Sequence, residues 1–193
     1  MAPITKLWLC ALKSGQSVDS PSFTQLLSEI LELCSSYTNP DPKSPQMHVM
    51  YQVVDNPSQL LMITGYQSQE LNTQADKVYA EKYLQKMFEH VQHVWLRQVD
   101  VDVSTLPIDR ERVLVTCGEA PVEQSGAKGV GGWDVWQQTQ QAKHNENGAQ
   151  GVREGKSGEE KVWVQVSAWD ESGDESAEPA TGETFRLRKI MGR

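Results

Sequence analysis

Three ionisable rings between residues 79 and 90 raise the first chemical question. Tyr79, Tyr83 and His90 stand at i, i+4 and i+11, and at about 100° per residue they fall on one narrow helical stripe. The stripe borders the apolar side of that helix, where a pocket mouth between helix and sheet would open. Its rings offer stacking surface, its phenols offer hydrogen bonds, and an imidazole moves protons near neutral pH. The plainer reading is a row of amphipathic rings at a helix edge, bodies buried and tips wet. On the chemical reading His90 is the base, with Tyr83 and Tyr51 as orienting or anion-stabilising groups. Tyr79, Met87, His93, Arg97 and His48 complete the candidate substrate-binding set. Strand alternation can instead turn Arg97 to the other sheet face, as a salt-bridged structural residue, and Met87 with the tyrosines is bulky enough to fill any cavity.

His90 and His93, three residues apart, invite a metal, with His48 as a third ligand from a strand. However, His93 falls at or beyond the helix end, and no acidic residue completes a set at diagnostic spacing. No metal is expected. Gly126, Gly129, Gly131 and Gly132 are not followed by Gly-Lys-Ser/Thr and read as a flexible connection, not a phosphate loop. Cys10, Cys34 and Cys117 are widely spaced with no CxxC pair, and read as small buried hydrophobes carrying a thiol.

Bulk properties narrow the classes. The 193 residues carry 18 Lys+Arg against 26 Asp+Glu, a net charge of −8, which opposes the basic face that nucleic acid requires. The longest apolar run, Leu7 to Leu12, is far short of the roughly 18 residues of a membrane span. No cleavage-site pattern follows it, so a soluble, cytoplasmic protein is expected.

Residues 4–12 read as a first strand bounded by Ser14-Gly15. Ser20-Pro21 opens a helix whose Phe23, Leu26, Leu27, Ile30, Leu31 and Cys34 form one apolar stripe. Residues 39–42, Asn-Pro-Asp-Pro, end it. Residues 48–54 and 60–66 flank Asp55-Asn56-Pro57-Ser58 as a hairpin. A second helix is expected from a capping-box variant at Thr73 to Asp76 as far as Val91. A fourth strand over residues 94–103 would aim Trp95, Arg97, Val99, Val101 and Val103 one way. Residues 1–104 are therefore α+β, a ferredoxin-like βαββαβ unit with both helices on one sheet face. The other face is also apolar and must be covered, by another copy of the chain or by the C-terminal half.

Residues 105–193 are β-rich and loop-heavy. Strands are expected at residues 112–117, 133–136, 161–169 and 184–190, with polar surface loops at 137–160 and 170–182. Strand, hairpin, strand is what a βαββαβ unit leaves once its helices are deleted. The half thus reads either as a degenerate second ferredoxin-like unit or as an unrelated β-rich extension.

The run from Tyr51 to Ser58, then Leu61 to Tyr66, Tyr79-Ala80 and Met87 to Trp95, resembles the dimeric α+β-barrel superfamily. Within it, the likeness is to antibiotic-biosynthesis-monooxygenase-like (ABM-like) proteins of filamentous fungi. It covers residues 4–104, and more loosely Gly132-Trp133 and Ala168-Trp169-Asp170. The resemblance implies a barrel made across a homodimer or, here, within an internal pseudo-dimer. It also implies a ligand cavity between the sheet and its own helices. Members oxidise aromatic polyketides without a cofactor, degrade haem, or act as decarboxylases and cyclases, so fold does not choose a reaction. The haem-degrading members use an asparagine on the first strand and a tryptophan and histidine on the second helix. Residues 4–12 contain no Asn and residues 73–92 no Trp, so only His90 could correspond. The expectation is a cofactor-independent tailoring protein, monooxygenase or cyclase/decarboxylase in type, for an aromatic or polyketide-like metabolite. The alternative is a non-catalytic ligand-binding or scaffolding barrel.

Overall fold

A run of strand-forming residues makes β1 (Ile4–Leu12) the first element of a computed structural model that describes residues 2–38, 46–122, 129–136, 161–169 and 182–193. Helix α1 (Pro21–Ser36) follows, with Pro21 in its first turn and the predicted six-residue stripe buried. Ser20 precedes it without capping it through its side chain; its hydroxyl meets that of Ser22 instead. Strands β2 (His48–Val53) and β3 (Gln59–Tyr66) form the antiparallel hairpin. The predicted helix stop at residues 39–42 lies outside the described residues.

The second helix departs from expectation in two ways. Helix α2 (Gln69–Lys82) begins before Thr73, because the Ser68 hydroxyl caps it by accepting from Leu71 N at 3.3 Å. It then breaks at Tyr83, whose φ of −124° is not helical, and restarts as α3 (Leu84–His90). Strand β4 (Val91–Val99) therefore starts earlier than predicted and ends before Val101 and Val103. Val103 sits in a short 3-10 turn (Val103–Thr105), yet still packs into the core.

The second half supplies β5 (Arg112–Gly118), β6 (Val130–Trp133), β7 (Trp163–Ala168) and β8 (Glu183–Gly192). Strand β6 shares only Trp133 with the strand expected at 133–136, because its pairing with β7 runs through Gly131 and Gly132 and ends before Asp134. The predicted loops at 137–160 and 170–181 lie outside the described residues. Gly131 and Gly132 belong to β6 and are not a flexible connection. A Cβ on Gly131 would stand 2.3 Å from the Val164 carbonyl oxygen, so close strand packing accounts for that glycine.

The eight strands of the described residues form one antiparallel sheet in the order β4-β1-β3-β2-β8-β5-β7-β6. Each half runs fourth-first-third-second. The sheet curls until its edge strands meet at the Val99–Asp134 bridge. Alternation then sorts the side chains into two cores. Leu7, Leu9, Tyr51, Ile63, Val115, Val166 and Leu187 fill the inside of the curl, so β5, β7 and β8 of the same chain cover the first half's second face. Cys10, Met50, Leu60, Met62 and Met87 pack with the α1 stripe on the outside. Cys10, Cys34 and Cys117 are free and buried. Among the described residues no helix is long and apolar enough to cross a membrane.

Candidate functional site

The outer face of β1, β3 and β4 floors a cavity of about 390 Å³ that α1, α2 and α3 roof. Alternation places its floor: Lys6 and Trp8 on β1, and Met62, Thr64 and Tyr66 on β3. His93 and Leu96 both come from β4, although strict alternation would put residues three apart on opposite faces. The reason is a bulge. Leu9 pairs with Trp95 but Cys10 pairs with His93, leaving Val94 as an extra residue. The bulge turns His93 back to the helix side. The helices contribute Ile30, Cys34, Ala75, Asp76, Tyr79, Leu84 and Phe88, and Trp136 enters from the second half.

This lining is largely apolar with one polar cluster. Lys6 Nζ meets Asp76 Oδ1 at 2.6 Å, their side chains 11% and 32% exposed. That bond uses one of the three ammonium protons and one carboxylate oxygen, so the pair can still both donate and accept. The Lys6 ammonium also lies 6.0 Å from the Trp136 ring centre. The Tyr79 hydroxyl is buried without a hydrogen-bond partner, a state that costs about 1–3 kcal/mol. Burial, and secondarily the neighbouring Cys10, Cys34 and Asp76, hold this phenol well above the ordinary tyrosine value. It is a neutral donor and acceptor. Burial likewise raises the Cys34 thiol and the Tyr66 phenol, which hydrogen-bond each other beside the cavity. Trp8 Nε1 donates to His93 Nδ1 at 3.0 Å.

The predicted site residues divide. Tyr79 and His93 line the cavity, and the others lie elsewhere. His90 packs on Phe23, ring centres 4.9 Å apart, and its Nδ1 meets Gln16 Oε1 at 2.6 Å. Tyr83 is the break residue between α2 and α3, with Lys86 over its ring. The wheel that grouped Tyr79, Tyr83 and His90 assumed one continuous helix, and the break at Tyr83 removes that register. Met87 is fully buried in the outer core. Tyr51 lies inside the curl, donating to the Ile108 carbonyl at 3.0 Å, with burial raising its phenol. Arg97 pairs with Asp134 Oδ2 at 3.1 Å and stacks on Trp95, as its alternative sheet role predicts. His48 is buried beside Tyr66, its Nε2 2.7 Å from Thr38 Oγ1. His48, His90 and His93 thus have three different sets of neighbours, and among the described residues no group of three His, Cys, Asp or Glu could hold a metal ion.

Sequence reasoning missed Lys6, Asp76 and Trp136. Asp76 reads as a helix-capping acid in sequence, but α2 begins earlier and frees it to reach Lys6. Lys6 itself was legible as the one charge on an otherwise apolar strand face, two residues from Trp8.

Haem degradation, one activity the resemblance implies, does not fit this cavity. His90, the one corresponding residue, is absent from its lining. With Trp8 donating to Nδ1, neutral His93 carries its proton on Nε2, and ligating iron there would set two N–H groups face to face.

No family model matches the chain, and no curated protein does. Among solved structures the chain is similar to the crystal structure of a candidate chlorite dismutase, with a TM-score of 0.51 at 10% identity. The match covers 98% of this chain and 96% of the other. At that identity the likeness is one of fold: mixed α+β, with a curled eight-stranded antiparallel sheet and helices on its outside.

Proposed function

We propose that this chain is a small-molecule-binding α+β barrel protein. Its ligand, an aromatic or polyketide-like metabolite, occupies the cavity between the three helices and the outer face of β1, β3 and β4. The observation that carries the reading is the Tyr79 hydroxyl, buried and unpartnered at an apolar cavity of about 390 Å³. That size lies in the range of small-molecule pockets, which are mainly apolar with a few convergent polar groups. A turn of the Tyr79 ring toward the cavity brings this buried hydroxyl to a ligand oxygen and relieves the unmet hydrogen bond, and Trp8, Phe88 and Trp136 give the ligand's ring apolar contact. The aromatic character of the metabolite rests on these side chains and on the likeness of residues 51–95 to ABM-like proteins.

The shared fourth-first-third-second strand order supports reading residues 105–193 as a second, degenerate ferredoxin-like unit. On that reading the pseudo-dimer is internal, and one chain makes the barrel. Tailoring chemistry is a second reading, favoured by the Lys6–Asp76 pair. Asp76 would take the proton of a ligand hydroxyl, and the resulting oxyanion would stand beside the Lys6 ammonium. His90 has no part in that scheme.

The test is a titration with the neutral fluorescent probe N-phenyl-1-naphthylamine, against the wild type and Ala75→Trp, which fills the cavity from α2. Saturable one-to-one binding that Ala75→Trp abolishes supports the reading. No saturable binding to the wild type, or equal binding by the two proteins, overturns it.

A further inference from the structure

Asp134 follows β6, where the edge strands of the sheet meet, and its carboxylate holds three groups at once. Oδ2 accepts from Arg97 Nη1 at 3.1 Å. Oδ1 accepts from the backbone N–H groups of Gln98 at 3.1 Å and of Trp136 at 3.0 Å. Around it, Asp134 N donates to Val162 O at 2.8 Å and Val135 N donates to Gln98 O at 2.7 Å. Two of the carboxylate contacts cross the seam to β4. The third turns the chain back on itself over two residues, an Asx turn. The Arg97 and Asp134 side chains are only 19% and 13% exposed, so water competes little for these charged hydrogen bonds.

The turn has a consequence at the cavity. It sets the Trp136 ring on the cavity wall, 6.0 Å from the Lys6 ammonium, near the outer limit of a cation–π contact. Lys6 in turn holds Asp76 of α2. A continuous path therefore runs from β4 through Asp134 and Trp136 to β1 and α2.

We propose that Asp134 is a positioning residue that makes the second half of the chain part of the ligand site. By closing the seam and turning the backbone with one carboxylate, it fixes Trp136 as the wall that Lys6 and the ligand meet. The site is then incomplete without the second half. This rests on the cavity being the ligand site, as proposed above.

Asp134→Asn separates the two roles, because it keeps an oxygen for the Gln98 and Trp136 amides while giving up the charge opposite Arg97. The measurements are N-phenyl-1-naphthylamine affinity, thermal unfolding, and acrylamide quenching of Trp136, taken as the difference between each protein and its Trp136→Phe counterpart. Asp134→Ala and Trp136→Ala should each weaken the probe about tenfold. The double variant should be no weaker than either single one, since both remove the same wall. Asp134→Asn should bind like the wild type although it melts lower, and Trp136 should be exposed to quencher in Asp134→Ala alone. Wild-type affinity in Asp134→Ala or Trp136→Ala, or additive losses in the double variant, overturns the proposal. If Asp134→Ala fails to fold, an Asp134→Asn protein that loses as much affinity as Trp136→Ala overturns it. If the wild type does not bind the probe, the cavity reading fails by itself and quenching decides. Trp136 exposed in Asp134→Ala alone supports the positioning role, and equal shielding in all three proteins overturns it.

Discussion

Trp8 donates its indole N–H to Nδ1 of His93 across the β1–β4 pair, at 3.0 Å. An indole nitrogen cannot accept, so the neutral imidazole must keep its own proton on Nε2. His93 is thereby a hydrogen-bond donor to whatever meets Nε2, and not a base through Nδ1. Nitrogen-15 spectra of the histidine rings should show His93 in the Nε2–H form at pH 8. Trp8→Phe should restore a mixture of tautomers at this residue alone. A Nδ1–H form in the wild type would contradict the bond and the role drawn from it.

Tyr79→Phe should stabilise the free protein. The hydroxyl is buried without a partner, so deleting it removes an unmet hydrogen bond of about 1–3 kcal/mol at almost no change in ring packing. Urea unfolding should show a higher midpoint with an unchanged m-value. On the proposed reading a ligand oxygen meets that hydroxyl, so the ligand should bind the variant more weakly. A lower midpoint would mean that the hydroxyl already has a partner.

His48 should make stability fall with acid. Burial pushes its imidazole down to about 3, and its Nδ1 has no partner to receive a proton's donor bond. The unfolded chain takes up a proton near the ordinary histidine value of about 6.5. The folded-state value is depressed, so stability is fully present above about 6.5 and is lost as pH falls towards 3. The slope is at most about 1.4 kcal/mol per pH unit. His48→Gln should remove this slope between pH 6 and 4 in a series of denaturant titrations. An unchanged slope would assign the acid sensitivity to other groups.

Gly65 leaves room for the turn that ends the first half. A Cβ there would stand 2.0 Å from Val103 Cγ1, and Val103 is buried in the inner core. Gly65→Ala should destabilise by about 1–3 kcal/mol, the usual range for overpacking. Adding Val103→Gly, which also removes the Val103 Cβ that would stand 2.3 Å away, should recover part of that loss, read as a coupling energy in a double-mutant cycle. Strictly additive losses would show that the two positions do not compete for the same space.

Legibility in the sequence followed periodicity. The α1 stripe, the β2–β3 hairpin and strands β5, β7 and β8 could be read because each is a continuous run of one period, whereas β6 (Val130–Trp133) was hidden by its glycines and expected three residues later. The α2–α3 region could not, because nothing in the pattern of Ala80, Leu84, Met87 and Phe88 marks the break at Tyr83. That break carries His90 away from the cavity. The β4 bulge at Val94 is equally silent, and it is what delivers His93 to the site. Lys6 and Asp76 lie 70 residues apart, and only the tertiary fold makes them a pair. The two faces of the sheet were legible as a physical requirement, while the covering layer had to come from strand order.

The most direct test of the ligand cavity is to locate a bound molecule. Intermolecular NOEs should be measured from N-phenyl-1-naphthylamine to selectively labelled methyl groups. They should appear at Ala75, Met62, Ile30 and Leu84, which line the cavity. NOEs instead to Val115, Val166 and Leu187, inside the curl, or to no methyl group in either core, would contradict the account.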